Sequence, residues 1–288
     1  MDANLVRRVG FALIAIPLAL LLVWYGGLLL ALLLAVAAVL GTRELFDLAA
    51  RGDVRPLRVL GLVSAGLVPP IVYLAVTSPD AQSWISEWWP YGAALWLILL
   101  LSATLALRSP VERPLSAAAI SLLAVTYTGV LPAFLVLIRH ANHPVRSWAG
   151  AWLVFYPLVV TWVCDTAAMF GGRAFKGPKL APAVSPGKTR SGSIAGVLGG
   201  LLVAPIFAAA VFPRAGTEIR LGPLLVIAGV LSVVGQVGDL VESLFKREAG
   251  VKDSSALIPG HGGVLDRFDS LYFVIPTAAA LYHAYGVI

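Results

Sequence analysis

Asp239, Ser243 and Lys246 stand at i, i+4 and i+7, so a helix through them carries a carboxylate, a hydroxyl and an ammonium along one face. The ordinary reading of Asp239 with Lys246 is a snorkelling helix end with an internal ion pair. Downstream residues ask for more. Asp266 and Asp269 share a face where an apolar run begins, and two carboxylates there are costly unless paired or metal-bound. Helix capping accounts for one such Asp but poorly for both. Oxygen-only ligands favour Mg2+ or Mn2+ over zinc. Between these acids lies Ile258-Pro-Gly-His-Gly-Gly263, whose glycines let backbone N–H groups approach an anion closely. Flanked by Lys252 and Arg267, that turn suits phosphate, and His261 is expected to shape it rather than to transfer an essential proton.

Upstream, Ser185-Pro-Gly-Lys-Thr189 is reminiscent of a P-loop, but Pro182 stands where that motif needs glycine, and no strand is expected before it. A Walker site is therefore rejected, and Lys188, Thr189 and Arg190 are read as phosphate or headgroup contacts ahead of a helix. Asp165, near the end of an apolar run, is expected to be paired or functional. His140 and His143 have no carboxylate or third ligand nearby in sequence and read as solvated loop histidines.

The elements that must hold these residues are membrane helices. Of 288 residues 59% are hydrophobic and 12% charged, against roughly half and a quarter in ordinary soluble domains. Nine apolar runs of about the length a bilayer requires fall near 6–25, 27–48, 57–77, 90–107, 116–138, 149–171, 192–212, 222–244 and 268–287. The first follows Arg7 and Arg8 without a small-residue cleavage site, and is read as a retained helix. The single cysteine, Cys164, excludes a disulfide framework and a thiolate metal cluster.

The expected architecture is all-α and polytopic, with the N-terminus cytoplasmic and the C-terminus on the opposite side. On that arrangement only Arg139, Arg146, Arg214 and Arg220 of the 21 Lys and Arg fall outside, as the positive-inside rule requires. The net charge of +6 then reflects topology and anionic headgroups rather than a nucleic-acid partner. Trp84, Trp88 and Trp89, between the third and fourth runs, read as an interfacial belt. Residues 1–148 are expected to form about five N-terminal helices. Residues 149–288 are expected to form a catalytic membrane region whose two polar loops, Cys164–Ser193 and Gly238–Ser270, face the cytoplasm.

Ser243 to Asp269 closely resembles the signature of the phosphatidate cytidylyltransferases, the CDP-diacylglycerol synthases of bacteria and eukaryotes. The match includes Ser243, Lys246, Arg247, Lys252, Asp253, Pro259, His261, Gly262, Gly263, Asp266, Arg267 and Asp269, and extends upstream to Asp239. Asp165 to Ser193 resembles the preceding loop of that family, through Asp165, Gly172-Arg173 and Ser185 to Thr189. It departs from the family at Arg190 and Ser191, where Trp and then Glu or Gln are usual.

The resemblance implies attack by the phosphate of phosphatidic acid on the α-phosphorus of CTP, with Mg2+ required and pyrophosphate leaving. The attacking monoester has a second pKa of about 6 and needs no obligatory base. Asp239, Asp266 and Asp269 are accordingly expected to bind metal. Lys246, Arg247, Lys252 and Arg267 are expected around the phosphates, with Asp165, Ser185, Lys188, Thr189, Ser243, Asp253, His261, Gly262 and Gly263 completing the substrate site. A monovalent cation, a homodimer and a bacterial inner-membrane location with a cytoplasmic site are further implications of the resemblance. Two other classes compete. A CDP-alcohol phosphotransferase would carry an Asp-Gly-x-x-Ala-Arg motif, which is missing, and an ion-coupled transporter would place its acids near the bilayer midplane rather than at helix ends.

Overall fold

The computed structural model describes residues 17–258 and 262–288. The chain is mostly helical. What is described of the first apolar run is α1 (17–25); the rest of that run lies outside the described residues. There follow α2 (Gly27–Arg51), α3 (Arg58–Thr77), α4 (Pro79–Leu107), α5 (Pro114–His140), α6 (Trp148–Phe175), α7 (Arg190–Val211) and α8 (Leu221–Glu248). These seven are long and apolar enough to cross a bilayer and coincide with runs two to eight. A short α9 (Leu265–Phe268) leads into the ninth run, whose helix is α10 (Leu271–Ala284). At 14 residues α10 spans about 21 Å, less than the roughly 30 Å of a hydrocarbon core.

Two local expectations are corrected. The fourth helix begins at Pro79, well before residue 90, because Ser78 accepts the Ala81 N–H and Pro79 occupies a first-turn position where no donor is needed. Trp84, Trp88 and Trp89 therefore lie on α4 and are exposed. The polar stretch after α6 folds into an antiparallel hairpin, β1 (Lys179–Ala181) with β2 (Ser185–Thr189), paired Lys179 to Thr189 and Ala181 to Ser185. Backbone groups with no helical partner are satisfied by this ladder. The sequence signals no strand there, because neither segment alternates apolar and polar residues.

Apolar side chains of α2, α5, α6, α7, α8 and α10 form the main core. Within it Tyr156 donates to Leu224 O at 2.6 Å and Tyr282 to Leu153 O at 3.0 Å. Small residues let α6 and α7 lie close, Gly196 and Gly199 facing Ala168 and Ala167. The outer faces of α2 to α4 expose Leu32, Leu67, Leu95 and Leu105, as a lipid-facing surface does.

The polar loops gather at one end. Arg113 reaches Gly52 O and Arg108 reaches Arg55 O, joining the α2–α3 and α4–α5 connections. At the other end Arg139, fully buried, donates to Val23 O at 2.9 Å and Trp24 O at 2.6 Å. His140 is not the solvated residue expected from sequence. It is buried, and its Nε2 accepts the Gly27 N–H at 2.8 Å, satisfying a donor at the start of α2.

Candidate active site

The end of α6, the hairpin, the start of α7 and α8 enclose a cavity of about 590 Å³. Arg173, Lys176, Lys179 and Lys188 line it beside Asp165, Asp239 and Gln236. Lys188, on β2, meets Asp239, on α8, at 2.5 Å. Thr189 accepts the Gly192 N–H at 3.1 Å and caps α7, while the Ser191 hydroxyl donates to Lys176 O. Ser185 belongs to the ladder opposite Ala181. Arg247 donates to Val184 O at 3.2 Å and to Val251 O at 2.8 Å, fastening the hairpin to the end of α8. A slightly larger space of about 650 Å³ between α2, α3 and α4 is lined by apolar side chains with Arg55, Arg58 and Arg108 and no carboxylate. Nucleotide chemistry needs convergent polar groups, so the smaller cavity is the candidate site.

A second polar network lies one turn along α8. Ser243 donates to Asp239 Oδ1 at 3.3 Å, as the spacing suggests. Lys246 turns elsewhere. Instead of pairing with Asp239, its Nζ donates to Glu242 Oε2 at 3.0 Å and Asp266 Oδ1 at 2.7 Å. The other oxygen of Asp266 accepts the Ser254 N–H, the Ser254 hydroxyl and the Gly263 N–H at 2.9, 2.8 and 2.8 Å. Burial opposes charge on Asp266, but the bonds from Gly263, Lys246 and Ser254 outweigh it and hold the carboxyl below its ordinary pKa.

Asp269 accepts the Ser270 N–H at 2.5 Å, and its backbone lies against α8 beside Asp239. Gly238 permits that approach, since a Cβ there would stand 2.8 Å from Asp269 O and 3.2 Å from Phe273 Cβ.

A sequence model of the cytidylyltransferase family matches residues 6–285. The chain belongs to the cytidylyltransferase family. It is 35% identical over 266 residues to a phosphatidate cytidylyltransferase of Staphylococcus saprophyticus, covering 92% of this chain and 94% of the relative. A phosphatidate cytidylyltransferase of Haemophilus influenzae is 39% identical over 198 residues, 68% of this chain and 66% of the relative. One of Brucella suis is 48% identical over 143 residues, 48% of each.

Within this cytidylyltransferase the structure gathers Asp165, Lys188, Thr189 and Asp239 around the cavity and Ser243 beside it. Lys246, Gly263 and Asp266 form the adjoining network, with Gly262 at φ 79° paired to Ile258. Lys252, Asp253 and Arg267 are exposed on the same loop. His261 lies outside the described residues.

Among the described residues no three His, Cys, Asp or Glu side chains already converge on one ion position. The carboxylates of Asp165, Asp239 and Asp269 are oxygen donors of the kind a hard divalent ion takes. Asp266 is different, because its hydrogen bonds are all from protein donors, three of them on one oxygen and Lys246 on the other.

Sequence reasoning passed over two buried acids. Glu242 lies one turn before Lys246, and Glu44 belongs to α2, far away in the chain. Glu44 accepts from the Ser255 hydroxyl at 2.7 Å and from the Val264 and Leu265 N–H groups at 3.0 and 2.8 Å, and lies 2.9 Å from the Ser254 hydroxyl, whose single hydrogen it shares with Asp266. The available signal was a carboxylate inside an apolar run, which is costly unless it is bonded.

Proposed function

We infer that the chain is a phosphatidate cytidylyltransferase, joining CTP to phosphatidate to give CDP-diacylglycerol and pyrophosphate. The carrying observation is the cavity of about 590 Å³ whose wall holds four Lys or Arg side chains together with Asp165 and Asp239. Two anionic reactants repel each other, and fixed cations screen that repulsion and stabilise charge on a leaving pyrophosphate. A phosphate oxygen of the lipid forms the new bond to the α-phosphorus as the bond to the β-phosphate bridge breaks. Arg173, Lys176, Lys179 and Lys188 are placed to hold the triphosphate, and the Lys188–Asp239 bridge fixes the ammonium that faces it.

Mg2+ or Mn2+ is proposed to be held by Asp239, Asp266 and Asp269, with Asp165 lining the same cavity as Asp239. Such an ion supplies further screening of the phosphates. Lys246, Arg247, Ser243 and the loop bearing Lys252, Asp253, His261, Gly262, Gly263 and Arg267 are proposed to form the wall on the α8 side.

The clustering of basic loops at one end supports N-in, C-out topology with nine spans, a cytoplasmic site and a bacterial inner-membrane location. A catalytic region over 149–288, a homodimer and an accompanying monovalent cation remain part of this proposal on the strength of the family. The test is pyrophosphate release by the purified full-length protein. Release is expected only with CTP, phosphatidate and Mg2+ together, and its absence under those conditions overturns the assignment.

A further inference from the structure

We propose that Glu44 is a positioning residue for the transfer, clamping the glycine loop through which Asp266 holds Lys246. This rests on the function proposed above. Glu44 sits in the membrane-spanning helix α2 and is 3% exposed, in a place where a carboxylate is costly unless its acceptors are filled. A carboxylate offers about four lone-pair sites. Three are filled by the Ser255 hydroxyl and the Val264 and Leu265 N–H groups, and the fourth faces the Ser254 hydroxyl, whose single hydrogen lies between Glu44 and Asp266. Glu44 therefore holds 254–255 and 264–265 to the same helix.

Two further observations tie the clamp to the site. Ser254 joins the two carboxylates, its N–H donating to Asp266 at 2.9 Å and its hydroxyl hydrogen lying between Asp266 and Glu44, and Asp266 in turn accepts from Lys246 at 2.7 Å. Gly263 packs directly on the clamp, since a Cβ there would stand 2.6 Å from Glu44 Cδ. The glycine at this position is thus explained by the carboxylate against which it rests. Loss of the clamp frees the segment carrying Lys252, Asp253, Gly262 and Arg267 and slackens the Asp266–Lys246 contact. Proximity and orientation are lost while the groups themselves remain.

The experiment compares Glu44→Gln, Glu44→Asp, Ser255→Ala and the Glu44→Gln/Ser255→Ala pair in purified full-length protein. Its readouts are kcat and KM for CTP, and amide exchange in peptides covering 252–258 and 262–268. Glu44→Gln keeps the shape but turns one acceptor into a donor, so kcat is expected to fall at least about tenfold. Exchange of the loop should quicken, while that of 221–238 stays unchanged. Glu44→Asp should recover part of the loss, and Ser255→Ala should cost a few-fold alone and little more in the Gln background.

Unchanged loop exchange in Glu44→Gln, or a loosened loop with wild-type kcat and KM, overturns the proposal. If Glu44→Gln does not fold, the same two readouts on Ser255→Ala decide. A wild-type protein without CTP-dependent activity counts against the proposed function alone, because the exchange measurement still reports whether Glu44 holds the loop.

Discussion

Asp239 is shared between Lys188, which neutralises it across the cavity, and Ser243, which donates from one turn along α8. Asp239→Asn keeps this shape and removes the charge. Turnover is expected to fall by at least about 100-fold, the scale on which loss of a single electrostatic contact to the reacting phosphates is felt. The amount of protein inserted in the membrane should not change, because insertion depends on the apolar runs. Lys188→Ala should act mainly by raising KM for CTP, since it removes a cation from the cavity wall. Steady-state kinetics on the two purified variants check both outcomes, and wild-type-like kcat in Asp239→Asn removes that residue from the site. The spacing of Asp239, Ser243 and Lys246 foretold a shared helix face, and Ser243 meets Asp239 as expected. It did not foretell that Lys246 would choose Glu242 and Asp266. A helical period fixes the direction of a side chain, whereas its partner depends on what another element brings opposite.

At the scale of elements, the site depends on α8 and α10 approaching closely at Gly238. The missing side chain leaves room for Asp269 O and Phe273, and so sets Asp239 and Asp269 near each other. Gly238→Ala should force the helices apart by a few tenths of an ångström to an ångström, a displacement sufficient to cost about 10-fold or more in turnover. Overpacking should also cost about 1–3 kcal/mol of stability. Activity and thermal unfolding of the purified variant measure the two effects, and turnover equal to wild type would show that this approach does not position the acids. The hairpin makes the complementary point. Ser185 to Thr189 was legible as a polar segment with a phosphate-binding composition, but not as a strand, because its ladder partner Lys179–Ala181 lacks any periodic signature of its own.

For the whole molecule, basic connections at one end and Arg139, Arg146 and Arg214 toward the other predict which surface faces the cytoplasm. Ala256 and Glu218 are exposed in loops that follow successive spans and lie near opposite ends of α8. An impermeant maleimide added to intact cells should label Glu218→Cys and spare Ala256→Cys until the membrane is opened. Native Cys164 is buried. The reverse pattern would invert the topology and put the cavity outside. With the N-terminus held inside, a missed or extra span ahead of α8 would do the same, so this measurement also tests whether the first run crosses.

Runs of apolar residues, the polar loops between them, and the placement of Lys and Arg are one-dimensional patterns. Nine runs and two loops crowded with acids, cations and glycines were legible in the sequence, and seven of those runs are helices long and apolar enough to cross a bilayer among the described residues. Lipid imposes those patterns residue by residue, whatever the helices later touch. The tertiary structure decided which charges meet. Ser254 and Glu44 are separated by 210 positions and Lys188 and Asp239 by most of α7 and α8, and no local period encodes either contact. Such pairs form because a carboxylate or ammonium withdrawn from water must find donors or acceptors, and only the packed bundle determines which are within reach.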